Sequence, residues 1–376
     1  MSTTVTKFNH RALVAEKYNR LLRRLEDFLD RDLPDSEIYS AAALRRRWLQ
    51  KFDMLTFDYF SVNAMKEFEA GIFDPYEDGF LNSTLNGFRF KLDVDDRKSF
   101  RIEISSLLFL KELGFFIAIV FFVFQGFVRA WFRGLQNLIF RGIDSDRRPA
   151  AVTSQIGMDV LQIEASDASF VEFCKKGPVT VLNSAERIYV QADSPVSSVD
   201  PGRMSYSRWP LFQLIEDFQP SVFDLFSFVI MHALVSLKFL MSCLLRPYLV
   251  SLGRDFAFHA LVAWLNQRRQ ISNFFIHGGN FEAQYLWMTD LPNRGFALHL
   301  VWYSLNVRWH VYKENPMVWN DPHYQYMKVD HSWVWVNSII PWINSVGLNP
   351  VNHVVGPILW YLPQAPKIDS KREFSV

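Results

Sequence analysis

The sequence predicts an α/β protein, in which a helical N-terminal region with membrane-associating apolar helices precedes a layer of parallel β-strands. Apolar residues between positions 13 and 52 recur at steps of three and four, the spacing of helices that bury one face. In the last third of the chain, strand-like runs alternate with helix-length or loop-rich intervals, which is typical of parallel sheets. Aromatic residues make up 16% of the chain, a high share that indicates membrane contact.

Length and composition exclude several classes of protein. A chain of 376 residues can bury a sizeable core without disulfides or metals. Its two cysteines, Cys174 and Cys243, support neither a disulfide framework nor a cysteine metal site. Forty basic and 39 acidic residues give a net charge of +1, so no nucleic-acid partner is predicted. The first residues lack a continuous apolar run before a cleavage site, which predicts a retained, cytosolic N-terminus.

Two helices are expected near the N-terminus, separated by a break at residues 32–36. The second helix contains Arg45, Arg46 and Arg47. Contact with anionic lipid or phosphate is one interpretation of this arginine triplet, and a solvated helix face is the more common one. Turn residues then accumulate up to position 98, with a short strand expected near residues 88–92.

The most hydrophobic stretch is LGFFIAIVFFVFQGFV, residues 113–128, within a wider apolar segment at about 107–132. Sixteen residues are fewer than a bilayer crossing needs, and basic residues flank both sides, so neither flank is favoured outside. A helix in the membrane interface is therefore expected, with a true span and a buried core helix as alternatives. We expect a peripheral or monotopic protein at the cytoplasmic face of a membrane.

A second apolar region, residues 222–250, is interrupted by charged and polar side chains, which predicts an inserted helix rather than a span. The sequence thus divides into a helical region at 1–142, an α/β domain at 143–363 and a polar tail at 364–376. Strand-like runs are expected at residues 158–163, 179–182, 188–191, 271–276, 296–303, 329–336 and 353–359.

Polar residues that could bind a substrate follow the strand at residues 271–276. Two glycines after His277 would let backbone amides approach a phosphate or sugar, and Asn280 and Gln284 would add side-chain hydrogen bonds. Arg294 would suit an anionic phosphate because its guanidinium can engage two oxygens at once. Structural interpretations stay open, since glycines also serve strand-to-helix turns and arginines often lie on surface turns.

Asp330 and His331 are the candidates for catalysis, because a base near an acceptor hydroxyl must lie within hydrogen-bond reach. Capping or core roles are the alternative for both residues. Tyr303 and Asn306 follow the preceding strand and complete the predicted site at one edge of the sheet.

Histidines and tryptophans concentrate toward the end of the chain. Six of the nine histidines fall in the last hundred residues, without HxH or HExxH spacing, so no metal site is predicted. Eight of the twelve tryptophans lie between positions 287 and 360. Flat aromatic faces beside hydrogen-bonding groups fit sugar recognition, and they also fit an ordinary aromatic core.

Three segments in series, IHGGNFEAQYLWMTDLPNRGFALHLVWYSLN, VDHSWVWVN and VVGPILWYLP, resemble a group of surface-polysaccharide biosynthesis proteins related to GT-B glycosyltransferases. The likeness covers about residues 270–363 well. It implies a Rossmann-like, GT-B-type sheet and a transferase that moves a sugar from a nucleotide sugar to a glycan or lipid-linked acceptor. A nucleotide sugar would be the donor substrate, and no cofactor is implied.

The resemblance also implies that the donor-binding half of a GT-B enzyme would follow this chain. Three alternatives stay open: that half is missing from this chain, a partner chain supplies it and completes the site, or it was lost together with activity. The alternative is a non-catalytic, membrane-associated scaffold or glycan-binding subunit.

Overall fold

The computed structural model describes residues 19–33, 35, 38–58, 84–85, 88–92, 100–141, 150–153, 179–185, 187–191, 204–207, 209–217, 221–277, 284–291, 294–302, 326–345 and 347–356. These residues form a mixed helical and parallel-sheet protein with two long apolar helices, in agreement with the α/β class that the sequence predicts.

The N-terminal layer is helical, as predicted. Helix α1 covers residues 19–32 and α2 spans Ala41–Asp58. Leu25 and Trp48 are fully buried, because the spacing of the apolar residues places them on the inner face of each helix. Trp48 also contacts Phe88 edge to face, with ring centroids 5.6 Å apart.

Each arginine of the triplet pairs with an aspartate. Arg45 bonds to Asp30 of α1 at 2.5 Å, and Arg46 pairs with Asp290. Arg47 lies 3.3 Å from Asp255, and both side chains are almost fully buried. The triplet therefore attaches α2 to distant parts of the chain, a role that neither interpretation of the sequence included.

A small antiparallel sheet precedes the first long helix. Its strands are Thr84–Leu85 (β1), Phe88–Leu92 (β2) and Phe100–Ile104 (β3). The strand expected at residues 88–92 is thereby confirmed. Strand β3 leads directly into α3, Ser106–Arg141, which contains the apolar segment.

Within the described part of the chain, the main sheet has seven strands in the order β10-β9-β8-β7-β4-β5-β6, and each pair of neighbours is parallel. Its strands are Ala150–Thr153 (β4), Ile188–Gln191 (β5), Met204–Ser207 (β6), Ile271–His277 (β7), Ala297–Val301 (β8), His331–Val334 (β9) and Val351–Val354 (β10).

Shorter helices connect these strands and flank the second long helix. The shorter helices are Thr180–Ser184 (α4), Pro210–Asp217 (α5), Gly253–Gln267 (α7), Leu286–Thr289 (α8) and Ile340–Ser345 (α9). The second long helix is Val222–Leu245 (α6). Pro247 follows α6 and begins a 3-10 turn because proline cannot continue the helix ladder.

One strand expectation is wrong: residues 179–182 begin a helix, α4, instead of a strand. A short apolar run fits a buried helix as well as a strand, so its periodicity does not decide between them. The strand expected at residues 158–163 lies outside the described residues. The last strand begins at Val351, two residues before the predicted run.

Helix α7 lies at the centre of the core. It packs against α3 and α6 on one side and shares a single apolar cluster with the inner face of the sheet, including Phe274 and Leu298. This cluster also contains residues of α1, α2 and α3. The predicted domain boundaries stay predictions, and the described helical and sheet layers share one core.

Candidate functional site

The strand order locates the candidate site. The chain builds the sheet outward from β4 to β6 and then returns to place β7 on the other side of β4. In open parallel sheets, ligands bind outside the carboxyl ends of the strands at such a reversal. Thr153 ends β4 and His277 ends β7, so these two positions mark the candidate site.

Those predicted site residues that the structure describes lie toward two different ends of the strands. His277 pairs in register with Val301 at the carboxyl end of β8. Asp330 immediately precedes β9, and its backbone N–H donates to the carbonyl oxygen of Leu298, near the amino end of β8. Three residues of extended strand, about 10 Å, therefore separate the two levels. The expectation that His277 and Asp330 lie at one edge is wrong, because His277 ends its strand and Asp330 precedes its strand.

Asp330 and Arg294 form an ion pair at the amino ends of the strands. Arg294 Nη2 lies 2.5 Å from Asp330 Oδ2, which also accepts the Leu298 backbone N–H at 2.7 Å. Arg294 Nη1 donates to the Met288 carbonyl oxygen at 2.7 Å, and Val351 N donates to the Asp330 carbonyl oxygen at 2.9 Å. This network ties β8, β10 and the residues before β9 together. The catalytic role of Asp330 stays a prediction.

Gln284 is buried, and its amide is bonded within the protein. Its Oε1 accepts from Gln50 Nε2 at 3.3 Å and from the Lys328 backbone N–H at 3.0 Å, and its Nε2 donates to the Lys328 carbonyl oxygen at 3.2 Å. These bonds join α2 to the residues that lead into β9. Substrate binding by Gln284 stays a prediction, and the structure explains the residue without a substrate.

A row of histidines crosses one face of the sheet from β8 to β10. His331 stacks on His299 with ring centroids 4.7 Å apart, and its Nδ1 lies 3.2 Å from His353 Nε2. Sequence reasoning did not assign His299 and His353 to a site. The register that aligns them across the strands is not encoded in the spacing along the chain.

His299 is held as a neutral imidazole. Its Nε2 lies 2.9 Å from Asn273 Oδ1, an acceptor, and its Nδ1 accepts from Trp333 Nε1 at 3.2 Å. The network therefore assigns the proton to Nε2. Burial lowers the pKa of His299 to about 3, because desolvation penalises the charged ring. Among the described residues, no group of three histidine, cysteine or acidic side chains is arranged to hold a metal ion.

Tryptophans lie beside the carboxyl ends of β8 and β9. Trp302 Nε1 donates to Ser332 Oγ at 2.8 Å, and Trp335 Nε1 donates to the Trp302 carbonyl oxygen at 2.6 Å. Trp342 contacts Trp302 edge to face at 5.9 Å. Trp335 and Trp342 are half-buried. Asn280, Tyr303 and Asn306 lie outside the described residues.

A separate cleft of about 730 Å³ opens at the opposite end of β7. It lies between α6, α7 and the amino end of β7, with Met231, Ala263 and Ile271 in its lining. Asn266 Oδ1 accepts the Gly295 backbone N–H there at 2.7 Å. Because the cleft is at the amino end of the strand, it is distinct from the candidate site.

The two long helices are apolar enough, and long enough, to cross a membrane by length and composition. Only a small share of their most apolar stretches is buried within the protein: 17% in α3 and 28% in α6. These helices are a weak indication of membrane association.

Residues 235–376 match the family model described as Polysaccharide biosynthesis PFTS motif protein. The matched region contains the end of α6, α7 and strands β7 to β10. This match supports a role in polysaccharide biosynthesis and names no reaction. No curated protein and no solved structure matches the chain.

Proposed function

We propose that the protein is a glycosyltransferase of surface-polysaccharide biosynthesis, which transfers a sugar from a nucleotide sugar to a glycan or lipid-linked acceptor. The family match of residues 235–376 carries this proposal, since it links four of the seven described strands of the main sheet to polysaccharide biosynthesis. The two apolar helices support a place of action at a membrane, and we propose its cytoplasmic face.

The strand order supports the nucleotide-sugar donor. Counted from β4, the order of the sheet is 3-2-1-4-5-6-7, and its first six positions are those of doubly wound nucleotide-binding sheets. We therefore propose a Rossmann-like layer of the GT-B type, with the nucleotide at the carboxyl ends of β4 and β7. In a GT-B enzyme a second domain faces this edge, so a further domain or a partner chain would complete the site.

The proposed transfer takes place at the carboxyl ends of the strands. The acceptor hydroxyl oxygen attacks the anomeric carbon, the bond to the nucleotide phosphate breaks, and the hydroxyl proton passes to a base. His277 is the predicted site residue that ends β7 at the reversal, and we propose it as the group beside the reacting sugar. The half-buried indole rings of Trp335 and Trp342 would supply apolar faces for the sugar ring.

The test uses the full chain in vesicles with radiolabelled UDP-, GDP- and CMP-sugars and a lipid extract that supplies acceptors. We expect transfer from one donor class, and a loss in kcat of about a hundredfold for His277→Ala without a change in unfolding temperature. The matched variants Asp330→Asn and His331→Gln, at the predicted catalytic positions, should keep kcat per folded molecule. If no donor gives transfer and UDP, GDP and CMP leave the unfolding temperature unchanged, the transferase proposal is wrong. Loss of kcat in folded Asp330→Asn alone would restore Asp330 as the catalytic base.

A further inference from the structure

The outer sides of α3 and α6 form one apolar surface, here named the two-helix face. On α6, Phe223 is 85% exposed, and on α3, Phe121 is 67% exposed. The other large apolar side chains exposed on this face are Leu107, Leu110, Phe115, Ile117, Phe124, Phe132, Ile139, Val222, Phe226, Ile230, Leu234, Leu237, Met241, Leu244 and Leu245.

The two helices are antiparallel neighbours, which makes the surface continuous. Near one end, Trp131 Nε1 donates to the Ser221 carbonyl oxygen at 2.9 Å. In the middle, the rings of Phe127 and Phe228 stack at 3.7 Å. Toward the other end, Phe116 contacts Phe239 at 4.5 Å. A 24-residue helix is about 36 Å long and two helices are about 20 Å wide, so the face exceeds the few hundred Å² that soluble monomers tolerate.

The inner sides of the same helices are occupied by the protein core. Phe127 contacts Trp264 of α7 edge to face at 5.1 Å, and Phe239 stacks on Phe256 of α7 at 4.5 Å. The buried Asp255 and His259 of α7 bond to Arg47 of α2 and to Tyr39, which precedes α2. The apolar cluster of the core joins α7 to the sheet. A crossing orientation would place this polar layer beside hydrocarbon, where unpaired polar and charged groups are costly. An orientation in the membrane plane exposes only the apolar side to lipid.

Basic side chains border the face along both of its long edges. Lys111 and Arg129 each lie nine residues from Val120, which contacts α6, so both point away from α6. Lys238 lies on the edge of α6 and is exposed. The two helices contain two acidic residues, Glu112 and Asp224, and neither is exposed. Two copies joined through this face would bring like charges together, whereas anionic lipid headgroups complement them.

We propose that α3 and α6 insert side by side into the cytoplasmic leaflet of an anionic bilayer, parallel to the membrane plane, through the two-helix face. Lys111, Arg129 and Lys238 reach the headgroups at the edges, as long basic side chains do at interfaces. The inference deepens the proposed membrane location and makes α6, expected from the sequence to be only an inserted helix, an equal part of the anchor. Because its test needs no sugar transfer, it stands or fails separately from the transferase proposal.

Depth measurement distinguishes the two orientations. Single cysteines at Leu110, Phe121, Phe223 and Leu237, in a full chain with Cys174 and Cys243 replaced by Ala, carry a fluorophore that spin-labelled lipids quench at known depths. We expect all four labels at one shallow depth in vesicles of phosphatidylcholine and phosphatidylglycerol. A label at the solvent-exposed Arg254 serves as the control and should not be quenched. Depths that change along each helix, deepest at its middle, would show a span and overturn the proposal.

Variants test which forces hold the face in the membrane. Replacing Phe121 and Phe223 together by Ser should lower the vesicle partition coefficient at least about tenfold, because two large apolar side chains leave the lipid. Val351→Ser, at an exposed apolar residue of β10, is the matched control and should leave partitioning unchanged. Arg129→Gln with Lys238→Gln should weaken binding to anionic vesicles and not to pure phosphatidylcholine. A stable dimer without vesicles, with the labels already shielded from water, would assign the face to a second copy and overturn the proposal.

Discussion

At the scale of single residues, Asp330 has a structural role that can be tested separately from its predicted catalytic role. Its Oδ2 accepts a short hydrogen bond from Arg294 and a second one from the Leu298 backbone N–H. Hydrogen bonds to charged groups contribute roughly 1.5–3 kcal/mol each, less where solvent reaches them. We expect Asp330→Asn to lower the free energy of unfolding by about 2 kcal/mol in urea titrations. Lys328→Ala is the control, since its exposed pair with Asp290 at 3.4 Å should contribute at most about 0.5 kcal/mol. Equal effects of the two variants would contradict the structural role of Asp330.

Two buried histidines predict a dependence of stability on pH. Burial lowers the pKa of His259 to about 4 and that of His299 to about 3, from 6.5. Below pH 6.5 the unfolded chain therefore binds more protons than the folded one, and stability falls as the pH drops toward 4. Each histidine contributes a slope of up to about 1.4 kcal/mol per pH unit. Urea unfolding at several pH values should show that His299→Gln removes one such slope, and an unchanged slope would contradict the neutral state assigned to His299.

At the scale of elements, helix packing depends on Gly126. A Cβ at Gly126 of α3 would collide with the ring of the buried Phe212 of α5, whereas a Cβ at Gly114 of the same helix would meet open space. We expect Gly126→Ala to destabilise the protein by about 1–3 kcal/mol through overpacking. Gly114→Ala, the matched control, should be neutral or stabilising by up to about 1 kcal/mol, because alanine favours the helix. Thermal unfolding followed by circular dichroism separates them, and the same sign for both changes would contradict this packing.

At the scale of the whole molecule, ion pairs attach α2 to the central core. Arg47 reaches Asp255 in α7, whose Oδ1 also accepts the Leu286 backbone N–H at 2.6 Å. Removing one partner of a buried pair typically costs about 3–5 kcal/mol, so Arg47→Ala should expose α2 to limited proteolysis. Arg45→Ala removes a largely exposed pair with Asp30 and should cost less than about 1 kcal/mol. Similar proteolysis of both variants would show that α2 is held by apolar packing alone.

The sequence alone determined the elements whose signal is local. The spacing of apolar residues predicted α1 and α2, because a helical stripe repeats within one or two turns, and the second apolar region predicted α6. Runs of apolar and aromatic residues predicted β5, β7, β8 and β9, with ends displaced by up to a few residues. Strands β4 and β6 were not predicted, since four-residue strands in polar surroundings carry too little pattern.

The tertiary structure alone decided which residues meet. His277 ends its strand and Asp330 precedes its strand, so parallel pairing places them at different ends of the sheet, and no spacing along the chain encodes that register. Arg46 forms an ion pair with Asp290, 244 positions further along the chain. Helix α3 packs against α6, and together they form one apolar face. Local patterns report which face of an element is apolar, whereas ion pairs, register and shared surfaces depend on contacts between distant segments, and only the folded chain brings those segments together.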